Sequence, residues 1–168
     1  MSIIKSYSNQ QIIMDSDLPS IFLAGPTKRN GITKWRVEAC EYLNQIGFGG
    51  IVYIPEYFNS NFDNSKIEEQ CLWERAGLDF CDCILFWIPR NLEEGMPAFT
   101  TNVEFGTYMQ MKPERVVYGR PSDAQKMRYL DWLYCYEKGP DANIHSDFET
   151  AVNASCKVAE WQCTKRNL

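Results

Sequence analysis

Two carboxylates occupy places where a carboxylate needs a reason. Glu104 lies in Thr100-Thr101-Asn102-Val103-Glu104-Phe105-Gly106, where a long loop gives way to a helical pattern. In the first turn of that helix, free amides and the helix dipole favour an ionised carboxylate, and Gly106 leaves space for a substrate beside it. Such a group at a ligand-facing edge is a competent nucleophile. The same letters fit a capping box, because in Thr101-x-x-Glu104 the glutamate can simply satisfy the Thr101 backbone amide. Local sequence alone favours the cap. Glu74 is the second candidate: Ile67, Cys71, Glu74 and Leu78 follow 3-4-4 helical spacing, which puts a charge on the stripe that faces the sheet. Either it serves a site or it tilts outward to pair with Arg75 or Lys66, and local sequence does not separate the two.

Two carboxylates on different elements suit displacement at an anomeric carbon through an oxocarbenium-like transition state, one attacking the sugar while the other manages the proton of the departing group. Glu104 and Glu74 divide those roles naturally, with Asn102 as a positioning candidate. The chain has one histidine, His145, which argues against Ser-His-Asp catalysis and His-rich zinc sites. His145 itself reads as solvated, and neither metal nor cofactor is expected.

These residues need a frame to hold them. Apolar runs of about five residues alternate with segments of helical period, the pattern of a parallel sheet covered by helices. Strands are expected at Ser20 to Ala24, Ile51 to Ile54, Cys83 to Ile88 and Arg115 to Tyr118, with Gln11 to Met14 as an added edge strand or hairpin. Helices are expected at Thr33 to Ile46, Lys66 to Phe80, Asn102 to Met111, Ser122 to Glu137 and Asp147 to Gln162. The fold class that follows is α/β: a flavodoxin-like, doubly wound parallel sheet of about five strands with helices on both faces. One domain spans residues 1–168, residues 1–19 forming an N-terminal extension or edge strand. Right-handed crossovers put the carboxyl ends of all the strands on one edge, and the ligand belongs there. Helical rise puts Gln70 and Glu74 towards that edge, and Asp79 and Asp82 at the opposite one.

Two loops at the ligand edge add binding candidates. In the first, Gly25 permits close approach to the backbone, Pro26 stiffens the turn, and Thr27, Lys28 and Arg29 offer groups for a phosphate or a sugar hydroxyl. Neither a Walker motif nor G-x-G-x-x-G is present, so ordinary turn chemistry explains the loop equally. In the second, Glu56, Tyr57 and Phe58 lead through Asn59, Asn61 and Asp63. Amides and aromatic rings suit a flat base, though such residues are also common in turns.

Composition narrows the class further. At 168 residues, 45% apolar and 23% charged, the chain can bury its own core. A net charge of -5 with no Lys/Arg cluster argues against a grip on polymeric DNA or RNA. Met1 to Asp15 lacks the apolar core of a signal peptide, and no stretch reaches the roughly 18 apolar residues of a membrane span. The seven cysteines are odd in number without a C-x-x-C pair, which fits reduced thiols and a cytoplasmic location.

Taken together, Phe22-Leu23-Ala24-Gly25-Pro26, Trp73-Glu74, Ile84-Leu85-Phe86-Trp87-Ile88-Pro89, Thr100 to Gly106 and Gly119-Arg120-Pro121 with Ala124 and Tyr129 resemble the nucleoside 2-deoxyribosyltransferase-like family. The resemblance runs from about Ser20 to Leu133. It implies a double displacement on a 2′-deoxyribonucleoside or nucleotide, in which a glutamate matching Glu104 attacks C1′, one base leaves, and a second base or water takes the sugar. On that basis Glu104 becomes the nucleophile rather than a cap. Glu74 matches the position of an assisting acid, with glutamate where the family usually has aspartate. Gly25, Pro26, Thr27, Lys28, Arg29, Glu56, Tyr57, Phe58, Gln70, Thr100 and Thr101 form the expected substrate-binding set. Family members are commonly dimers or larger, so a homo-oligomer is expected, with the aromatic set Trp132, Tyr134, Tyr136 and Trp161 either contributing to it or serving as core. The loop Arg90 to Phe99, with Glu93 and Glu94, departs from the family pattern and is long enough to cover or narrow the site. Relatives of this fold include hydrolases. A nucleoside 5′-monophosphate N-glycosidase is therefore the alternative, with Thr27, Lys28, Arg29 and Thr100 on the phosphate. A non-catalytic nucleotide-sensing module is the alternative from another class.

Overall fold

Every residue of Ser20–Ala24 and of Cys83–Trp87 is buried, as expected for central strands of a parallel sheet covered on both faces. The computed structural model describes residues 3–13, 17–28, 33–58 and 64–168. Its strands are β1 (Ile4–Tyr7), β2 (Ser20–Ala24), β3 (Ile51–Ile54), β4 (Cys83–Trp87) and β5 (Val116–Gly119), and its helices are α1 (Lys34–Gln45), α2 (Ile67–Phe80), α3 (Phe99–Met111), α4 (Arg128–Lys138) and α5 (Phe148–Arg166). All strand pairs are parallel, in the order β1-β3-β2-β4-β5. The chain runs from β2 outward to β3, then crosses back to β4 on the other side of β2. The switch point, and with it the crevice for a ligand, lies at the carboxyl ends of β2 and β4. This is the expected flavodoxin-like α/β architecture.

The pleat sorts the core into two layers. Phe22, Ala24, Ile84, Phe86 and Tyr118 face α2, α3 and α4, where Trp73, Leu78, Phe105, Tyr108, Leu130 and Tyr134 meet them. Ile21, Leu23, Leu85, Trp87 and Val117 face α1 and α5, against Trp35, Leu43, Val152 and Ala159. At the amino edge, Ser20 N and Oγ both donate to Asp82 Oδ2, at 3.0 and 2.9 Å, and Tyr108 Oη donates to Asp79 Oδ1 at 2.8 Å. These carboxylates sit at the edge opposite Gln70 and Glu74, as helical rise requires.

Several boundaries differ from the sequence reading. The edge strand is Ile4–Tyr7, in register with Ile51–Ile54, rather than Gln11 to Met14. Ile12 and Ile13 form no strand because the chain must cross β3 there to reach β2, and they pack on the core as it does so; Met14 lies outside the described residues. α3 begins at Phe99, three residues early. α4 begins at Arg128, six residues late, because Gln125 N donates to Arg90 O at 3.2 Å and Lys126 takes a positive φ of 55°. α5 runs on to Arg166, whose Nε reaches Asp82 Oδ1 at 3.1 Å. His145 is half-buried, not solvated, and its backbone pairs with Gly119, the last residue of β5. All seven cysteines are free thiols, and no helix among the described residues is long and apolar enough to cross a membrane.

Candidate active site

Arg36, which the sequence reading passed over, organises the carboxyl edge. It is 2% exposed, and each arm of its guanidinium is engaged. Nε donates to Leu23 O at 3.1 Å, Nη2 to Gly25 O at 2.7 Å, and Nη1 to both Thr27 Oγ1 at 2.8 Å and Glu56 Oε1 at 2.6 Å. One buried cation thus fixes the loop after β2 to the loop after β3. Burial works against its charge, and Glu56 first, then Glu74 and Glu104, sustain it. The signal was in the sequence: Arg36, Cys40 and Leu43 follow 4-3 spacing on the buried stripe of α1, the argument that singled out Glu74.

Glu104 lies in the second turn of α3, not the first, because the helix starts at Phe99 with Ala98 as its N-terminal boundary. That position removes the capping box: Thr101 is already inside the helix, and no described residue hydrogen-bonds the Glu104 carboxylate. The group is half-buried. Burial raises its pKa, the neighbouring Glu74 raises it further and Arg36 opposes both, giving about 8. Glu74 is also half-buried; burial raises its pKa, while Arg36 and the hydrogen bond from Gln70 Nε2 at 2.8 Å hold it down. It does not pair with Arg75, which is 3.0 Å from Asp79. Glu104, Glu74, Gln70 and Arg36 therefore form one electrostatic cluster.

Other expected residues fall elsewhere. Asn102 and Gly106 stand two residues either side of Glu104, about 200° around the helix, and so do not flank it. The Asn102 side-chain oxygen instead accepts from Arg90 Nη2. Arg90 is buried and also donates to Lys126 O at 3.0 Å, so it ties α3 to the loop before α4. Thr101 is buried and Thr100 exposed. Glu56 accepts from Arg36 through Oε1 and is partly exposed. Gly25 has no room for a side chain, since a Cβ there would lie 2.1 Å from Trp87 O. Pro26 is buried and accepts from Trp35 Nε1 at 3.1 Å. Thr27 and Lys28 are exposed, with Lys28 N donating to Thr33 Oγ1 at 3.2 Å. Arg29, Asn59, Asn61 and Asp63 lie outside the described residues.

The loop from Arg90 folds on itself through an Asn91–Met96 bridge, and Leu92 N donates to Gln125 Oε1 at 3.0 Å. It thus turns towards the loop after β5, where a recess of about 340 Å³ lies between Arg90, Asn91, Met96, Pro121 and Gln125. Tyr57 lines a separate recess beside α2, and Phe58 packs its ring 5.1 Å from that of Tyr7.

Compared with models of known protein families, residues 18–122 match the one described as nucleoside 2-deoxyribosyltransferase like. The match covers more than half of the chain, which belongs to that family. No curated protein matches it.

Proposed function

We propose that this member of the nucleoside 2-deoxyribosyltransferase-like family transfers the glycosyl group of a 2′-deoxyribonucleoside or nucleotide to a second base or to water, through an ester on Glu104. The observation that carries the reading is the Glu104 carboxylate itself: half-buried, hydrogen-bonded by no described residue, and within the electrostatic reach of both Glu74 and the Arg36 cation. A partly buried carboxylate with a raised pKa and no hydrogen-bonding partner among the described residues is the kind of group that functional sites hold ready for a substrate.

In the proposed cycle a Glu104 oxygen bonds to C1′ as the C1′–N bond breaks, its electron pair leaving with the base. The pair shares one proton: with Glu104 ionised and the proton on Glu74, which Gln70 orients, Glu74 gives it to the departing base nitrogen. In the second half a new base, or water, attacks C1′, Glu74 takes back the proton, and the Glu104 ester opens. Arg36 supplies the counter-charge that lets one of the two carboxyls be anionic beside the other.

The test incubates the protein with a panel of 2′-deoxynucleosides and their 5′-monophosphates, separates freed bases by chromatography and weighs the intact protein. A glycosyl adduct that disappears in Glu104→Gln supports the proposal, and base release without an acceptor base marks hydrolysis. Full turnover by Glu104→Gln, or nucleotide binding with no turnover, refutes it.

A further inference from the structure

Arg90 follows β4 after Ile88 and Pro89 and is 5% exposed. Among the described residues its guanidinium meets neutral oxygens only: Nη1 donates to Lys126 O at 3.0 Å, Nη2 donates to Asn102 Oδ1, and Nε is buried without a partner. Burial lowers its pKa, and Tyr118 alone opposes that. The charge also stands beside the first turn of α3, the positive end of the helix dipole. A buried cation is costly without an anion, and this one is set where a helix disfavours it further. What Arg90 offers there is its shape, a planar fork that reaches oxygens on two separate elements at fixed angles.

Both elements need such a tie. α3 has no cap of its own: its N-terminal boundary is Ala98, no side chain caps the first turn, and no acidic residue lies in it. Ala98 is in the left-handed region, at φ 56° and ψ 40°, which an alanine holds only where its surroundings impose it. Asn102 N makes the first bond of the helix, to Ala98 O at 3.1 Å, and it is the Asn102 side chain that Arg90 grips. On the other side, the Lys126 carbonyl belongs to a residue at φ 55°. Ala98 and Lys126 are the two non-glycine residues of positive φ among those described. Gln125 N adds a backbone bond to Arg90 O at 3.2 Å, so one buried fork stands between two strained turns and is bonded on both sides.

We propose that Arg90 is a positioning residue for Glu104: through Asn102 it holds the uncapped first turn of α3 to the turn before α4, and so stops the helix from fraying as far as the carboxylate. The inference rests on the reaction proposed above. Asn102 and Glu104 are two residues apart, about 3 Å along the helix axis, so Glu104 is the next polar side chain to loosen once the first turn is lost. Arg90 does not act on Glu104 by charge, since the charges that shift that carboxyl are Glu74 and Arg36. A frayed turn would instead give Glu104 free helix amides and water, and would take it from its place near Glu74, where the reaction needs it.

The clamp is tested in the full chain by carbon NMR of the labelled Glu104 carboxyl, and by turnover of whichever 2′-deoxynucleoside releases most base, in wild type, Arg90→Met, Asn102→Ala and the double variant. Loss of a nearby cation by itself raises a carboxyl's ionisation, whereas loosening lowers it; Asn102→Ala, which changes no charge, must lower it as Arg90→Met does. In both, kcat falls roughly 10- to 100-fold with KM within about 3-fold of wild type. The double variant is no worse than the worse single one, and Asn102→Asp, which keeps an acceptor oxygen for Arg90, retains more turnover than Asn102→Ala. Thermal unfolding checks each variant, and Asn102→Ala decides the matter if Arg90→Met does not fold. A Glu104 ionisation that rises or stays in place in Asn102→Ala, or a kcat equal to that of wild type, overturns the clamp and leaves the reaction standing. No base release by wild type, with the ionisation lowered in Asn102→Ala, refutes the reaction and leaves Arg90 holding the carboxyl in place.

Discussion

A half-buried carboxyl with a raised pKa destabilises the fold whenever it is ionised, and Glu104 is such a group. In the unfolded chain it ionises near 4.5, and in the folded protein at about 8. Between those values the native state holds more protons than the unfolded one, so this group's contribution to stability falls as pH rises. Glu104→Gln removes the liability. The variant is expected to melt with wild type below pH 4 and to be more stable by on the order of a few kcal/mol at pH 8, as read by urea unfolding at both pH values. The same substitution should cut turnover by about 10³-fold or more. Stability gained where activity is lost distinguishes a catalytic carboxylate from a cap, whose removal destabilises. Glu74→Gln takes a neighbouring negative charge away, so the Glu104 ionisation moves down; Arg36→Met takes a positive one away, so it moves up. The two shifts, followed by carbon NMR of the labelled Glu104 carboxyl, must have opposite signs. Turnover in Glu74→Gln is expected to fall roughly 10²- to 10⁴-fold.

At the scale of elements, two glycines in motifs read the same way from sequence separate cleanly. A Cβ on Gly25 would meet the β4 carbonyl of Trp87 at 2.1 Å, a backbone atom that cannot yield, whereas a Cβ on Gly106 would meet nothing within 4 Å. Gly25→Ala should therefore cost about 3 kcal/mol or more, and Gly106→Ala should stabilise α3 by roughly 0.5–1 kcal/mol with activity kept, both read from chemical denaturation. The strands were legible in the sequence because burial on both faces writes an uninterrupted apolar run; β2 and β3 were found to the residue. The start of α4 was not, since the turn before it is held by bonds between Gln125 and the distant Arg90–Leu92 segment, which no local pattern reports. The site divides likewise. Glu74 declared itself as a charge on an apolar stripe, and Arg36 did so too without being taken up. The commitment of Glu56 to Arg36 joins residues twenty apart and is visible only in three dimensions.

Over the whole molecule, the aromatic residues near the C-terminus resolve into two kinds. Tyr134 is core, but Trp132, Tyr136 and Trp161 are not, contrary to the simpler expectation of a buried stripe. Tyr129, Trp132 and Tyr136 are 67%, 54% and 70% exposed and lie at 3-4 spacing on one face of α4. Their ring centroids are 5.5 and 5.1 Å apart, the second pair stacked. An exposed aromatic ladder of this kind is costly in water and typical of the centre of an interface. A stable interface buries roughly 1,200–2,000 Å² in total, more than the ladder alone supplies, and α3, packed against α4, adds exposed Phe99 and Val103. The expected occupant is a second copy of the chain, because a two-fold axis lets one ladder meet its own image and closes the assembly without leaving a free face. Sedimentation velocity at micromolar concentration should then give a dimer or a larger closed oligomer. Trp132→Glu should shift it to monomer with an unchanged far-UV spectrum, since the side chain touches the core little. A wild-type protein that sediments as a monomer, or a Trp132→Glu variant that remains fully assembled, removes α4 from the interface.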